Sequence, residues 1–337
     1  MESRKIFIRR VASNDVVTFN NFNILKSAAE SLGLEVVDTF SIKECLRYGK
    51  RDDIYIVTVV SDVVRLWSRG RKNICCWYQG IIPEESFMRN RSTLRFTVLS
   101  MYERFALNRC KLNLLVSDSM LKHYNTKYHR QYGKSSYIFP CFNTEVHEKA
   151  FMYPEKYVKN YFVYAGGLDV WQCFDHTLEV YKSIEALEIP GTKLIVMTKN
   201  QDYARDKIIE KGIQNYEVGF TTPDDLPNVL AKCKFGFVLR EDTPVNRVST
   251  PTKLSTYLSC GIIPIYSECV DGFNSLASKM EFVIPWKENG ESEIHVKSMM
   301  ERRIEASDVL SEFNTVFDSY YSNDYHIVNI ASLLSKL

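Results

Sequence analysis

Short β-branched and aromatic runs alternate with helical stretches along the whole chain, and the alternation runs twice. The first series places strands at Lys5 to Arg9, Leu34 to Phe40, Asp53 to Val60, Asn73 to Tyr78, Leu112 to Ser117 and Ser136 to Pro140. Helical patterns separate them, at about Asn21 to Leu32, Ser61 to Ser68, Ser92 to Asn108 and Asp118 to Tyr128. Strands that are apolar throughout, with a helix after each, read as a parallel sheet covered on both faces.

A polar stretch from Pro140 to Pro154 interrupts the pattern, which resumes at Tyr161 to Ala165. Further strands are expected at Lys193 to Thr198, Tyr216 to Phe220, Phe235 to Arg240, Ile262 to Tyr266 and Glu281 to Ile284. Helices separate these at about Asp175 to Leu187, Gln201 to Lys211, Pro223 to Lys232 and Pro251 to Cys260, and terminal helices follow from about Asp308. The 337 residues are too many for one ordinary core. The expected architecture is therefore α/β, with doubly wound parallel-sheet domains at 1–145 and 146–310 and a helical segment at 311–337 that packs back on the first.

In open α/β sheets the ligand-binding loops lie at the carboxyl ends of the strands. Neither G-x-G-x-x-G after an early strand nor G-x-x-x-x-G-K-[ST] is present, which argues against nicotinamide, flavin and triphosphatase chemistry. The nine cysteines contain no C-x-x-C pair and sit mostly in apolar segments, as reduced core thiols do. No apolar run approaches the ~20 residues that cross a bilayer, and the basic, strand-like start lacks a signal-peptide h-region, so a cytoplasmic location is expected.

The net charge of +2 conceals an asymmetry. Between Arg65 and Lys111 stand ten Lys or Arg against three Glu, a local charge of +7 that the rest of the chain must offset. Such a block suits a phosphate-bearing substrate or an anionic membrane surface, and equally a solvated helix face. No aromatic-rich basic stripe accompanies it, so nucleic acid is not expected as a partner.

The most legible local signal follows the strand ending at Arg240. Thr250 suits an N-cap, Pro251 the first helical position and Gly261 the residue just past the end, predicting a helix of about three turns. Lys253 occupies the capping-box position, where a cation meets the positive end of the helix dipole. An anion is called for. The amides of Thr252 and Lys253, the lysine ammonium and Arg240 can converge on a phosphate, or Glu241 or Asp242 can neutralise Lys253 as a surface pair. Leu254, Tyr257 and Leu258 have the spacing of a buried stripe.

A second loop, Gly166-Gly167-Leu168 through Trp171-Gln172, allows close backbone approach to a ligand and equally suits a tight turn. Six scattered histidines have no metal-ligand spacing, and there is no Ser-His-Asp order or carboxylate dyad. No metal and no cofactor is expected.

These segments resemble the bacterial retaining glycosyltransferases of the GT-B fold, in the large family-four group that builds capsule, exopolysaccharide and lipopolysaccharide. The resemblance rests on Trp77-Tyr78-Gln79-Gly80-Ile81-Ile82-Pro83-Glu84-Glu85-Ser86, Val116-Ser117 with Met120, and Gly166-Gly167-Leu168 with Trp171-Gln172. Above all it rests on Asn246-Arg247-Val248-Ser249-Thr250-Pro251-Thr252-Lys253, followed by Tyr257-Leu258-Ser259-Cys260-Gly261-Ile262-Ile263-Pro264-Ile265, which is similar to the family's S-P-x-K-x-x-E-Y-L-A-x-G-x-P-V-I pattern.

The resemblance implies two Rossmann-like domains facing a central cleft, the N-terminal one for the acceptor and the C-terminal one for a nucleotide-sugar donor, UDP- or GDP-linked, which is a substrate and not a cofactor. It implies donor contacts from Gly166, Gly167, Gln172, Arg247, Ser249, Thr250, Pro251, Thr252, Thr256 and Tyr257. Acceptor contacts fall to Trp77, Gln79, Gly80 and Glu85, and catalytic roles to Lys253, Arg240 and Glu84. Glu84 and Glu85 either orient an acceptor hydroxyl or simply start a helix. The acceptor implied is a glycan or a polyprenyl-diphosphate-linked glycan at the inner face of the plasma membrane, with Phe87, Met88, Leu94, Phe96 and Leu99 dipping into the interface or forming a buried helix face.

Two departures from the pattern stand out: Thr256 replaces the glutamate that commonly holds the donor ribose, and the first-loop Arg and Lys give way to Gly167 and Gln172. They keep open a non-catalytic subunit that supports an active partner. A GT-B sugar epimerase or phosphorylase also fits the composition.

Overall fold

A computed structural model describes residues 4–11, 18–142, 145–287 and 290–337. Asn143 and Thr144, inside the expected interdomain pause, lie outside the described residues. The chain divides into two compact units: Met1–Asn143 with Arg247–Thr250 and Ser322–Leu337, and Thr144–Asn246 with Pro251–Tyr321.

The sheet of unit 1 comprises β1 (Lys5–Arg9), β2 (Glu35–Thr39), β3 (Ile54–Val57), β4 (Ile74–Tyr78), β5 (Leu112–Leu115) and β6 (Ser136–Ile138), in the order β2-β1-β3-β4-β5-β6. Every pairing is parallel, as in Ile6 opposite both Val36 and Ile54. All residues of β3, β4 and β5 are buried, the signature of strands covered by helices on both faces. The last helix, Asn323–Leu334, packs on Phe19–Glu30, where Asn20 Nδ2 donates to Asn323 Oδ1 at 3.0 Å.

The sheet of unit 2 comprises β7 (Tyr161–Ala165), β8 (Lys193–Met197), β9 (Tyr216–Gly219), β10 (Phe235–Val238), β11 (Ile263–Ser267) and β12 (Ile284–Trp286). Their order is β9-β8-β7-β10-β11-β12, that of the doubly wound dinucleotide-binding fold. The winding direction reverses between β7 and β10, so the loops leaving those two strands flank the position where such sheets bind ligands.

Differences from the sequence expectation have local causes. The strand expected at Glu281 begins at Ile284, because the N–H groups of Glu281 and Phe282 donate to the Glu312 carboxylate (2.7 and 2.9 Å) and pairing starts only at Ile284 opposite Ile265. Helices at Ile42–Tyr48, Ile82–Asn90, Asp271–Ala277 and Glu291–Glu301 were not expected as such; three of the four have nine residues or fewer, too short for a 3.6-residue period to show. Helix Ala306–Phe317 straddles the expected 310/311 boundary and belongs with unit 2, where Phe313 meets Phe151 edge-on at 6.2 Å.

Candidate active site

In unit 2, β7 runs directly into Gly166-Gly167 and β10 into Leu239-Arg240, so both loops leave the sheet where its winding reverses. The helix Thr252–Ser259 holds the same end of β7: the Ala165 N–H donates to Tyr257 Oη at 3.0 Å. Tyr257 is completely buried, with its ring against Gly236. The expected donor contact from Tyr257 is therefore corrected to a core role, because its hydroxyl is engaged by β7 backbone.

Lys253 passes beneath the glycine loop. A β-carbon on Gly166 would lie 2.7 Å from Lys253 Cε and 3.4 Å from Nζ, and Gly166 adopts φ +134°, which disfavours any side chain. The residue as a whole is half-buried, but its ammonium is closed off from solvent, lies 3.8 Å from the Tyr164 ring centroid, and has no hydrogen-bond acceptor. Burial, followed by repulsion from Arg240, holds its pKa well below the ordinary lysine value; Cys173 and Asp169 oppose this weakly.

Arg240 is 6% exposed and equally short of an anion. Its Nη1 donates to Gln172 O (3.1 Å) and Leu239 O (2.8 Å), and Nη2 to Gln172 Oε1 (2.7 Å), while no carboxylate among the described residues pairs with it. Gln172 thus positions Arg240. Cys173 closes that turn in a left-handed conformation (φ +51°) and accepts the Glu241 N–H on Sγ at 3.3 Å. Two neighbouring buried cations without a counter-ion are expensive to maintain, each costing several kcal/mol in an uncompensated site.

The amino end of the helix is built differently from the expectation. Pro251 stands at the N-cap, and Thr250 Oγ1 accepts the Cys141 N–H (3.0 Å) rather than a helix amide. The N–H groups of Thr252 and Lys253 have no acceptor among the described residues. The helix is eight residues long, just over two turns, and Gly261 follows it at φ +70° as expected. Thr256 Oγ1 donates to Thr252 O at 3.0 Å, within its own helix. Arg247, Ser249 and Thr250 cluster with unit 1, where Val248 O accepts from Ser117 Oγ at 2.7 Å. Lys253 makes no ion pair with Glu241 or Asp242; Glu241 instead contributes its backbone, accepting from Asn246 Nδ2 at 2.9 Å.

The residues expected on the acceptor side separate into core, network and surface. Trp77 is completely buried between Phe22 and Phe139, so the expected acceptor contact is corrected to a packing role. Gln79 is exposed, and Gly80 next to it carries no side chain because Glu85 Oε1 occupies the place of its β-carbon. Glu84 accepts from Lys127 (2.8 Å) and meets His123 (3.2 Å), and Lys127 bridges on to Glu103 (2.9 Å). Glu103, buried, also accepts from Tyr128 (2.6 Å) and Tyr124 (3.2 Å). Burial pushes the Glu84 carboxyl up, but the His123 and Lys127 hydrogen bonds outweigh it and leave the pKa below its ordinary value. Glu85 lacks such partners: burial and the neighbouring Glu103 and Glu84 raise it, against the pull of Arg89.

His123, Lys127, Glu103 and Tyr164 escaped the sequence reading. The i, i+4 pair His123 and Lys127 on the helix after β5 was a usable signal; the partners of Glu103 come from a different helix and left none. Of the five side chains expected at a membrane interface, Leu94 is exposed, whereas Phe87 and Phe96 meet edge-to-face at 5.9 Å. Val98, Met101 and Tyr102 join Leu94 as the exposed apolar residues of Thr93–Arg109. Eight of the nine cysteines are buried, Cys269 is half-buried, and all are free thiols. Among the described residues no cluster of His, Cys, Asp and Glu is placed to hold a metal, and no helix is long and apolar enough to cross a membrane.

No protein-family model matches the chain, and no curated protein sequence matches it. Solved structures do. A mutant of S. aureus TarM in complex with Fondaparinux, alpha-GlcNAc-glycerol and UDP superposes with a TM-score of 0.62 at 10% identity, over 87% of this chain and 58% of TarM, so the chain spans little more than half of that protein's length. OtsA in its apo form matches with a TM-score of 0.68 at 11% identity over 99% of this chain and 100% of its own. A UDP-forming alpha,alpha-trehalose-phosphate synthase from Burkholderia xenovorans, in complex with glucose-6-phosphate, matches with a TM-score of 0.63 at 9% identity, over 87% and 75%. These neighbours are GT-B glycosyltransferases, and the chain shares their fold, α/β with two parallel six-stranded sheets covered by helices.

Proposed function

We propose that the protein is a glycosyltransferase that moves a sugar from a nucleotide-sugar, UDP- or GDP-linked, to a glycan or lipid-linked glycan. One observation carries the reading: at the reversal point of the unit 2 sheet, a buried Lys253 ammonium without a hydrogen-bond acceptor stands beside Arg240, also without an anion, below a glycine loop. Cleavage of a glycosyl-phosphate bond passes through an oxocarbenium-like state while negative charge grows on the leaving diphosphate. Lys253, Arg240 and the amides of Thr252 and Lys253 are the groups suited to receive that charge. Gly166 and Gly167 admit the ligand close to the backbone, and Gln172 aims Arg240.

Transfer with retention follows from the acceptor hydroxyl entering on the leaving-group face and passing its proton to a donor phosphate oxygen as the new glycosidic bond forms. That route needs no carboxylate dyad and no metal. Within unit 1, Glu85 is better suited than Glu84 to hold an acceptor hydroxyl, because Glu84 is already bound by Lys127 and His123. A lipid-linked acceptor in surface polysaccharide synthesis places the protein at the cytoplasmic face of an anionic membrane, met by the exposed Leu94, Val98 and Met101 and by arginines of the basic block. The UDP bound to TarM and the UDP formed by the trehalose-phosphate synthases favour a uridine donor.

The test is nucleotide release from a panel of UDP- and GDP-sugars, with calorimetric titration of UDP and GDP alongside. Binding and release with one donor class is the expected result, and absence of nucleotide binding refutes the reading. Binding without release points to the second reading, a non-catalytic subunit, which the engagement of Thr256 by its own helix favours.

A further inference from the structure

The two buried cations of unit 2 are held in different ways. Gln172 holds Arg240 by hydrogen bonds, whereas the Lys253 ammonium makes none and rests on the ring of Tyr164, the next-to-last residue of β7. Tyr164 is 1% exposed, and its ring packs on Phe174, the first residue of the following helix (Phe174–Glu185), with centroids 5.0 Å apart. Its Oη donates to Gly167 O at 2.6 Å. One side chain therefore touches both parts of the site: its ring lies 3.8 Å from Lys253 Nζ, and its hydroxyl ties down the glycine loop that covers Lys253 Cε.

An aromatic ring suits this place for a physical reason. The face of the ring carries the negative lobe of its quadrupole and attracts a cation, most strongly where water is excluded. It offers no lone pair. A carboxylate at the same position would neutralise the ammonium and compete with an incoming diphosphate, whereas the ring steadies the charge and leaves its N–H donors free. The charged and titratable groups that act on the ammonium are Arg240, which repels it, and Cys173 and Asp169, which oppose that only weakly. Burial holds the Tyr164 hydroxyl well above the ordinary tyrosine pKa, so it stays a neutral donor to Gly167 O.

We infer that Tyr164 is the positioning residue of this site: its ring keeps the Lys253 ammonium in place of a counter-ion until the diphosphate arrives, and its hydroxyl fixes the glycine loop above it. The role of the diphosphate rests on the nucleotide-sugar reading; the contact between ring and ammonium does not.

Two replacements separate the two contacts. Tyr164→Phe removes the hydroxyl and keeps the ring, and a trifluorinated phenylalanine at the same position keeps the shape of the ring while weakening its attraction for a cation. Lysine ε-carbons are labelled, the Lys253 signal is assigned by its loss in Lys253→Met, and the full chain is titrated by NMR without ligand. The expected result is that Lys253 loses its proton at lower pH in the fluorinated protein than in Tyr164→Phe. For UDP or GDP, whichever the parent binds, affinity in the fluorinated protein then begins to fall at lower pH by the same displacement. Tyr164→Phe itself weakens nucleotide binding by about two- to tenfold, as for loss of one neutral hydrogen bond, and speeds amide hydrogen exchange in residues 166–172. Melting curves confirm that both proteins are folded. Equal Lys253 titrations in the two proteins, or loop exchange in Tyr164→Phe equal to the parent's, overturn the inference. Failure of the parent to bind either nucleotide refutes the functional reading instead, and the ligand-free titration and exchange still decide what Tyr164 does.

Discussion

Replacing Lys253 with Met separates the stability of the free protein from its grip on an anion, because the two should move in opposite directions. Methionine reaches as far as the Cε position beneath Gly166 while removing a buried ammonium that has no hydrogen-bond acceptor and that Arg240 repels. Exchanging buried charge for apolar volume is neutral to stabilising by about 1–4 kcal/mol. The same exchange removes a charge-assisted contact to the diphosphate, worth about 1.5–3 kcal/mol in binding. If the contact tightens as the leaving group departs, turnover falls by about 10² to 10³.

A further consequence follows from protonation. The ammonium of the free protein is held below its ordinary pKa, and a bound diphosphate raises it again, so binding takes up protons in the pH range between the free and bound values and weakens as pH rises through it. Thermal denaturation with and without UDP, and titration calorimetry in two buffers of different ionisation enthalpy, measure the effects on stability, binding and proton uptake, and nucleotide release measures turnover. A Lys253→Met protein that melts below the parent, binds UDP with unchanged affinity and shows the same proton uptake refutes the role assigned to the ammonium.

Three other predictions rest on separate features. Gly166→Ala forces a side chain into φ +134° and against Lys253 Cε, so it should cost about 1–3 kcal/mol of stability and weaken UDP binding; in the Lys253→Met background the loss of binding should largely vanish, and simple additivity would contradict this. Glu84→Gln should lower the melting temperature, since it breaks a half-buried network with Lys127 and His123, whereas Glu85→Gln should leave melting unchanged and slow transfer; a reversed pattern in paired melting and nucleotide-release measurements would return Glu84 to the acceptor. Lys156 is 1% exposed, donates to Leu230 O and Ala231 O, and is lowered by burial to about 8 from 10.5. Its unfolded form therefore binds the extra proton between those pH values, and the parent should gain about 3 kcal/mol over Lys156→Met as pH rises through that window, read from urea denaturation at each pH. A difference independent of pH would exclude the effect.

Much of the architecture is encoded locally and was legible. Ile54–Val57, Ile74–Tyr78 and Phe235–Val238 are apolar at every position, and a strand covered on both faces has no other way to be built. The helix after Arg240 was also readable, since Pro251 and Gly261 mark its limits through backbone constraints that belong to the residues themselves. Lys253 and Arg240 were singled out by position relative to predicted elements.

What those cations do was decided by packing. Nothing in the linear order says that the Lys253 ammonium is shut beneath Gly166 with no anion, that Gln172 holds Arg240, or that Thr250 serves Cys141 instead of the helix. The same holds for Tyr257 and Trp77, whose motif positions suggested ligand contact and whose side chains complete the core. Strand and helix choice depends on side chains and dihedrals within a few residues, which the sequence contains explicitly. Desolvation and pairing of a charge depend on groups brought together across the sheet, 87 residues apart for Gly166 and Lys253, and become defined only once the chain has folded.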